Sequence, residues 1–127
     1  MKRRRKHQRG LSLLEALAAT TLFALVSSAM GTLALGSIRA TTFNRHASAA
    51  ALLAQEEMER VRALDYPSMV NASAAKTMGG QSFTLATVVE NDMPAASMKR
   101  ITVTASWVGP EGAKSYATQT IYTDITL

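Results

Sequence analysis

The sequence contains no cysteine, only two histidines and only three prolines. The absence of cysteine excludes disulfides, a thiol nucleophile and a thiolate metal site. His7 lies in a basic N-terminal stretch and His46 stands alone, so no histidine pair or histidine-carboxylate motif is available. Ser12, Ser27 and Ser28 lack the strand-turn-helix context of a nucleophilic serine. We therefore predict that the chain is not an enzyme and carries no metal and no cofactor.

Charge is nearly absent between residues 11 and 38, where Glu15 is the only ionisable side chain. As a helix, these 28 residues would be about 42 Å long, against about 30 Å for the hydrocarbon core of a bilayer. The segment is therefore long enough to span a membrane. A carboxylate in such a span opposes insertion by a few kcal/mol, with about 2.5 to 3.5 kcal/mol for Asp, Lys or Arg at a helix centre as the guide. This cost indicates that Glu15 is present for a function.

Positive charge is concentrated before Gly10, where six of the 14 Lys and Arg residues lie, which leaves eight basic against nine acidic residues in the rest of the chain. A terminal block is not the basic face of a fold, so specific nucleic-acid binding is not predicted. The positive-inside rule places this block in the cytoplasm. An ordinary secretory signal has a shorter apolar region, and Ala18-Ala19-Thr20 or Ser27-Ser28-Ala29 would serve as its cleavage site. The apolar run instead continues to Ile38.

The string from Arg9 to Val26, RGLSLLEALAATTLFALV, resembles the class III signal of type IV pilins and type II secretion pseudopilins. The resemblance implies cleavage after Gly10 by prepilin peptidase, N-methylation of the new N-terminus at Leu11, and a role for Glu15 in assembly. Mature members of the family usually begin with phenylalanine. This chain would begin with Leu11, as some minor members do.

A carboxylate in hydrocarbon needs a partner, and the α-amino group released at Leu11 is one candidate. Within one helix this amine would lie a turn away from Glu15. In a bundle of staggered helices, the amine of one subunit can instead meet the carboxylate of its neighbour and set the axial register, which is the role that the resemblance implies. A structural alternative is that Glu15 extends toward the cytoplasmic headgroups, because it is close to the start of the span.

The helical pattern continues beyond the apolar segment, and we expect one helix from near Leu11 to near Leu64, ended by the approach to Pro67. One stripe is apolar and is formed by Phe43, Ala47, Ala50, Ala54, Met58 and Val61. A second face, with Glu56 paired to Arg60, is predicted to be solvated. It carries Glu56, Glu57, Glu59, Arg60 and Arg62.

The remainder is predicted to be a loop over Ser68 to Gly80 followed by three antiparallel strands. Alternating residues run over 82–89, 100–107 and, less clearly, 117–127. The fold class is therefore α+β, a pilin-like arrangement in which the second half of a long helix packs on a small three-stranded sheet. Trp107 shares the apolar strand face, which favours a place in the core over a role in binding.

The predicted organisation is a cleaved leader at 1–10, a transmembrane half of the helix at 11–38 and a periplasmic domain at 39–127. Segments 52–68, 79–85 and 99–107 also resemble PilV-type minor pilins and minor pseudopilins. The absence of the cysteine pair of many major pilins favours a minor subunit.

The resemblance implies a minor pilin or pseudopilin, located in the bacterial inner membrane and then in the filament, which helps to initiate that filament near its tip. Its implied partners are prepilin peptidase, other pilin or pseudopilin subunits, the inner-membrane assembly platform and the inner membrane. One alternative is a single-pass anchored module whose periplasmic domain binds a ligand. Another is a domain secreted by an ordinary signal peptidase. The sequence does not distinguish a type IV pilus from type II secretion.

Overall fold

The computed structural model describes residues 7–124, with side chains from residue 12 onward. It contains a helix α1 (His7–Arg62), a 3-10 helix (Tyr66–Ser68) and four strands: β1 (Ala72–Met78), β2 (Gln81–Asn91), β3 (Met98–Gly109) and β4 (Gly112–Thr123). The strands form one antiparallel sheet in the order β1-β2-β3-β4. The α+β class is confirmed. The predictions for Met1 to Lys6, and for the end of the last strand at 125–127, fall outside the described residues.

The chain divides into two compact units, the first ending at Thr41 and the second beginning at Thr42. In the first unit, every described side chain from Ser12 to Thr41 is exposed. All the buried apolar residues lie in the second unit. Helix α1 contributes residues to both units, and the absence of proline from His7 to Arg62 removes the commonest cause of a break in a helix of this length.

The fourth strand is β1, and the prediction of a loop over Ser68 to Gly80 was wrong for this stretch. Its sequence, ASAAKTM, contains no β-branched apolar residue, so it lacks the composition that marks a strand. It forms nevertheless because it pairs with β2 from Ala72↔Thr87 to Met78↔Gln81, and an exposed edge strand has little apolar surface to bury. Gly79 and Gly80 close this hairpin with positive φ angles of 58° and 80°, as a tight two-residue turn requires.

The three predicted strands are present as β2, β3 and β4, with longer bounds than the alternation indicated. In β3, Ile101, Val103, Ala105 and Trp107 face the core, as expected. In β4, the core side carries Thr118, Thr120 and Tyr122, which are partly buried, whereas Ile121 is exposed. Polar residues on the covered face explain why the third alternation was weak.

The core lies between the second half of α1 and one face of the sheet. The predicted helix stripe is confirmed from Ala50 to Val61, with Leu53 added, but Phe43 remains 47 % exposed at its edge. Phe43 contacts Trp107 with ring centroids 6.3 Å apart, and Phe83 contacts the same indole at 5.9 Å. Trp107 is only 5 % exposed, which confirms its predicted place in the core.

Two charged side chains, Glu57 and Lys99, are buried, and each has hydrogen-bond partners. Glu57 was expected on the solvated face, but it is buried because it follows Leu53 by four residues and Ala54 by three, which places it on the core side. It accepts hydrogen bonds from Arg60 at 2.5 and 3.0 Å. Glu56 pairs with Lys76 of β1 at 2.7 Å, so the predicted Glu56-Arg60 pair is wrong.

Lys99 is the second buried charge, and it fixes the segment that follows α1. Its ammonium donates to the carbonyl oxygens of Tyr66 and Met69 at 2.7 and 3.1 Å, and it lies 4.5 Å from the Tyr66 ring centroid. These contacts satisfy the charge without a carboxylate. The Tyr66 carbonyl also accepts from the Met69 N–H at 3.4 Å, so Lys99 adds a second bond to the 3-10 turn.

The core predicts how the second unit behaves alone. A fragment of residues 39–127 retains every residue of the core cluster, so we expect a soluble monomer by size-exclusion chromatography with light scattering. In that fragment, Trp107→Ala should lower the free energy of unfolding by about 3 to 5 kcal/mol, because a large aromatic is removed from a packed site.

Denaturant melts measure this loss. The control is Val108→Ala, since Val108 follows Trp107 on β3 but is 71 % exposed, and it should change stability by less than about 0.5 kcal/mol. Equal effects of the two variants would contradict the assignment of Trp107 to the core.

Glu57 predicts a dependence of stability on pH. The hydrogen bonds from Arg60 hold the pKa of the Glu57 carboxyl below its usual range, although burial acts in the opposite direction. A carboxyl with a lowered folded-state pKa stabilises the fold above its unfolded-state pKa, and this stabilisation is lost as the pH falls through the folded-state value. Urea melts from pH 7 to pH 2.5 measure the free energy of unfolding of wild type and Glu57→Gln. The difference between the two proteins should shrink as the pH falls. A difference that stays constant over this range would contradict this assignment.

Candidate functional site

The Gly10-Leu11 junction lies in the first turns of α1, where its backbone is helical. The side chain of Leu11 is not among those described, so the structure places the predicted cleavage and N-methylation positions by backbone only. Glycine lowers helix stability by about 1 kcal/mol relative to alanine. Gly10 therefore marks a point near the start of α1 where the helix opens at low cost.

Glu15 follows Leu11 by one helical turn, and its side chain is exposed. Its neighbours Leu13, Leu14 and Leu17 are 66 to 73 % exposed, so the carboxylate lies on an apolar helix surface. Among residues 12–124, the salt bridges lie elsewhere and none involves Glu15. Within the described chain, the carboxylate therefore has no oppositely charged partner.

The threonine side chains beyond Glu15 in this part of α1 donate hydrogen bonds to the helix backbone. Thr20 and Thr21 donate to the carbonyl of Leu17 at 2.9 and 2.7 Å, and Thr32 donates to the carbonyl of Ala29 at 2.8 Å. A hydroxyl bonded to its own backbone can enter lipid without an unpaired donor. Sequence reasoning missed these bonds, although threonine in an apolar helical segment indicates them.

By length and composition, α1 is able to cross a membrane once. A Cβ added at Gly31 or Gly36 would meet nothing within 4 Å, so both positions offer an open backbone surface. Small residues of this kind allow close approach between helices in lipid. The outer surface of this helix is thus free to meet lipid, other helices or both.

The chain matches no family model, no curated protein and no solved structure. Among the side chains of residues 12–124, no group of three or more His, Asp or Glu is placed to hold a metal ion. The candidate site that the geometry describes is the start of α1, namely the Gly10-Leu11 junction and Glu15.

Proposed function

We propose that the chain is a minor subunit of a type IV pilus or type II secretion pseudopilus. It is inserted in the inner membrane with its N-terminus in the cytoplasm, cut after Gly10 by prepilin peptidase, methylated at Leu11 and assembled with other pilin or pseudopilin subunits by the assembly platform. The observation that carries the proposal is Glu15. It is the only charge on an exposed apolar helix surface, and it lies one turn beyond a glycine-leucine junction.

Membrane insertion is favourable despite Glu15. Eleven large apolar side chains between Leu13 and Ile38 are more than half exposed. At about 1.5 to 3 kcal/mol each, their removal from water is worth roughly 15 to 30 kcal/mol. By insertion scales, a charged residue at a helix centre costs only about 2.5 to 3.5 kcal/mol. The apolar surface therefore decides that the helix enters the membrane, and Glu15 is left there without a charged partner.

The cost of an unpaired carboxylate in lipid is recovered if a positive charge comes within reach. The α-amino group created at Leu11 is such a charge, and it appears only after cleavage. Because like helices lie parallel in one membrane, the amine of one subunit can meet Glu15 of a staggered neighbour. This pairing favours association and fixes the stagger, which is what a filament requires.

The Gly10-Leu11 junction predicts the effect of a bulky residue before the cut. Gly10→Val should leave an uncleaved precursor in the membrane, because a β-branched side chain obstructs the backbone beside the scissile bond. Immunoblotting of cells that contain the peptidase would show a single slower band. Gly36→Val is the matched control, since it adds the same side chain to the same helix in open space and should be processed normally. Mature-size Gly10→Val protein would refute the class III assignment.

Glu15 predicts a defect in assembly alone. Glu15→Val should be processed, stable and resident in the membrane, because an apolar residue enters lipid more easily than a carboxylate. It should fail to enter filaments, because it cannot pair with the Leu11 amine. Glu15→Asp should be intermediate, since it keeps the charge with a shorter reach. The measurement is the fraction of the subunit in sheared filaments relative to membranes.

The control for this experiment is Glu59→Val, which removes an exposed glutamate from the part of α1 that belongs to the second unit. Its carboxylate forms only a surface pair with Arg62, so incorporation should match wild type. Normal incorporation of Glu15→Val would favour the membrane-anchored binding module instead.

A further inference from the structure

One end of the helix-sheet unit combines exposed apolar side chains with positive charge. We call it the Trp107 end, defined by Phe43, Arg45, Trp107, Val108 and Lys114. The Lys114 ammonium lies 6.0 Å from the Phe43 ring centroid, and Phe43 in turn packs on Trp107. Trp107 and Lys114 are register partners on β3 and β4. These contacts place the five residues around one end of the sheet.

Arg45 belongs to the same end through the β1-β2 turn. A Cβ added at Gly79 would lie 3.4 Å from Nη2 of Arg45, so the guanidinium lies beside this turn. The acidic residue nearest to Lys114 is Glu111, at 3.9 Å. Two cations against one carboxylate leave the Trp107 end positive.

The opposite end of the sheet carries more acidic than basic side chains. Asp92 and Asp124 both lie beside Ser97, and Asp65 precedes Tyr66, whereas Arg100 is paired with Glu90. The pKa of Tyr66, at this end, is raised by desolvation and by the negative charges of Asp124 and Asp92. Lys99, at the same end, donates to the Tyr66 and Met69 carbonyls and is buried. Lys99 and Trp107 are separated by eight residues of β3, about 26 Å. The second unit therefore carries net positive charge at the Trp107 end of its strands and net negative charge at the opposite end.

Phe43, at the Trp107 end, is close in sequence to the apolar segment. Phe43 follows Ile38, the last residue of that segment, by five residues. Five residues reach about 18 Å at most, whatever their conformation. If residues 11–38 cross the membrane, Phe43 and the side chains around it cannot lie far from the headgroups.

We propose that the Trp107 end docks on anionic phospholipid headgroups at the outer surface of the membrane. This proposal rests on the span of the proposed function. Arg45 and Lys114 bind lipid phosphates, while Val108 and Phe43, which are 71 % and 47 % exposed, enter the interface beside them. The acidic far end is repelled by the same surface, so the two ends together orient the unit. The docked state holds an unassembled subunit against the membrane.

The test uses the full chain in nanodiscs of either phosphatidylcholine or a mixture containing phosphatidylglycerol. Because the chain has no cysteine, Val108→Cys and Val70→Cys each provide a single site for an environment-sensitive fluorophore. Val70 is the matched control, since it is 64 % exposed and follows Met69, which Lys99 holds at the opposite end. Fluorescence emission and its quenching by lipids that are spin-labelled near the headgroup report contact with the membrane.

We expect the probe at Val108 to shift its emission to shorter wavelength and to be quenched in the anionic nanodiscs, with the probe at Val70 unchanged. Adding Arg45→Gln and Lys114→Gln together should reduce the quenching at Val108 at least twofold. The control pair, Arg62→Gln with Arg100→Gln, removes two cations from outside the Trp107 end and should leave the quenching intact.

Three outcomes would overturn the proposal. First, the emission of the probe at Val108 could show an aqueous environment while the nanodisc protects the span. This result would refute the docking but would not affect the proposed function. Second, equal quenching at Val108 in the two kinds of nanodisc would refute the role of the anionic headgroups, and quenching at Val70 equal to that at Val108 would refute the proposed orientation. A chain that does not enter nanodiscs at all refutes the docking and the membrane span together.

Discussion

The structure depends on one constraint, which is that the described side chains of α1 from Ser12 to Thr41 are all exposed and mostly apolar. A surface of this size is unstable in water, so its environment must come from outside the chain. A lipid bilayer would supply that environment for the leucines, but it would not supply a partner for Glu15. In the proposed function, the apolar surface is covered by the membrane and the carboxylate pairs with a neighbouring subunit.

The second part of α1 has a different environment, and its sequence changes accordingly. From Ala50 to Val61 the buried apolar residues lie on one face, where they meet Phe83, Leu85, Ile101 and Val103 of the sheet, whereas Leu52 is exposed. Charged residues fill the other face, and they pair locally, as Arg62 does with Glu59. The same helix thus has an apolar surface all round in one unit and an amphipathic one in the other. The side chains of the two halves of α1 therefore require different surroundings.

The long helix, the packed face of β3 and the core position of Trp107 could be predicted because each is carried by a strong periodic pattern. Strand β1 could not, since an exposed edge strand needs pairing from β2 more than it needs apolar residues. Glu57 was misplaced because charge was taken to mean exposure, whereas its spacing from Leu53 and Ala54 puts it on the core side. The hydrogen bonds from Arg60 make that burial tolerable. The motif around Gly10, Leu11 and Glu15 could be recognised in the sequence because it is defined by residue types and their spacing along the chain.

The two proposals together predict that the charges of this chain differ in the strength of their interactions. Each headgroup contact of Arg45 or Lys114 would be worth about 1 kcal/mol and would be weakened by salt. A pair between Glu15 and an amine in hydrocarbon would be screened weakly, and the attraction between its charges would be several times larger than at a protein surface. Two surface contacts would therefore suffice to orient an isolated subunit and could be given up on assembly. A Glu15 pair made between subunits, rather than within one helix, would add to the stability of the filament and not to that of the docked monomer.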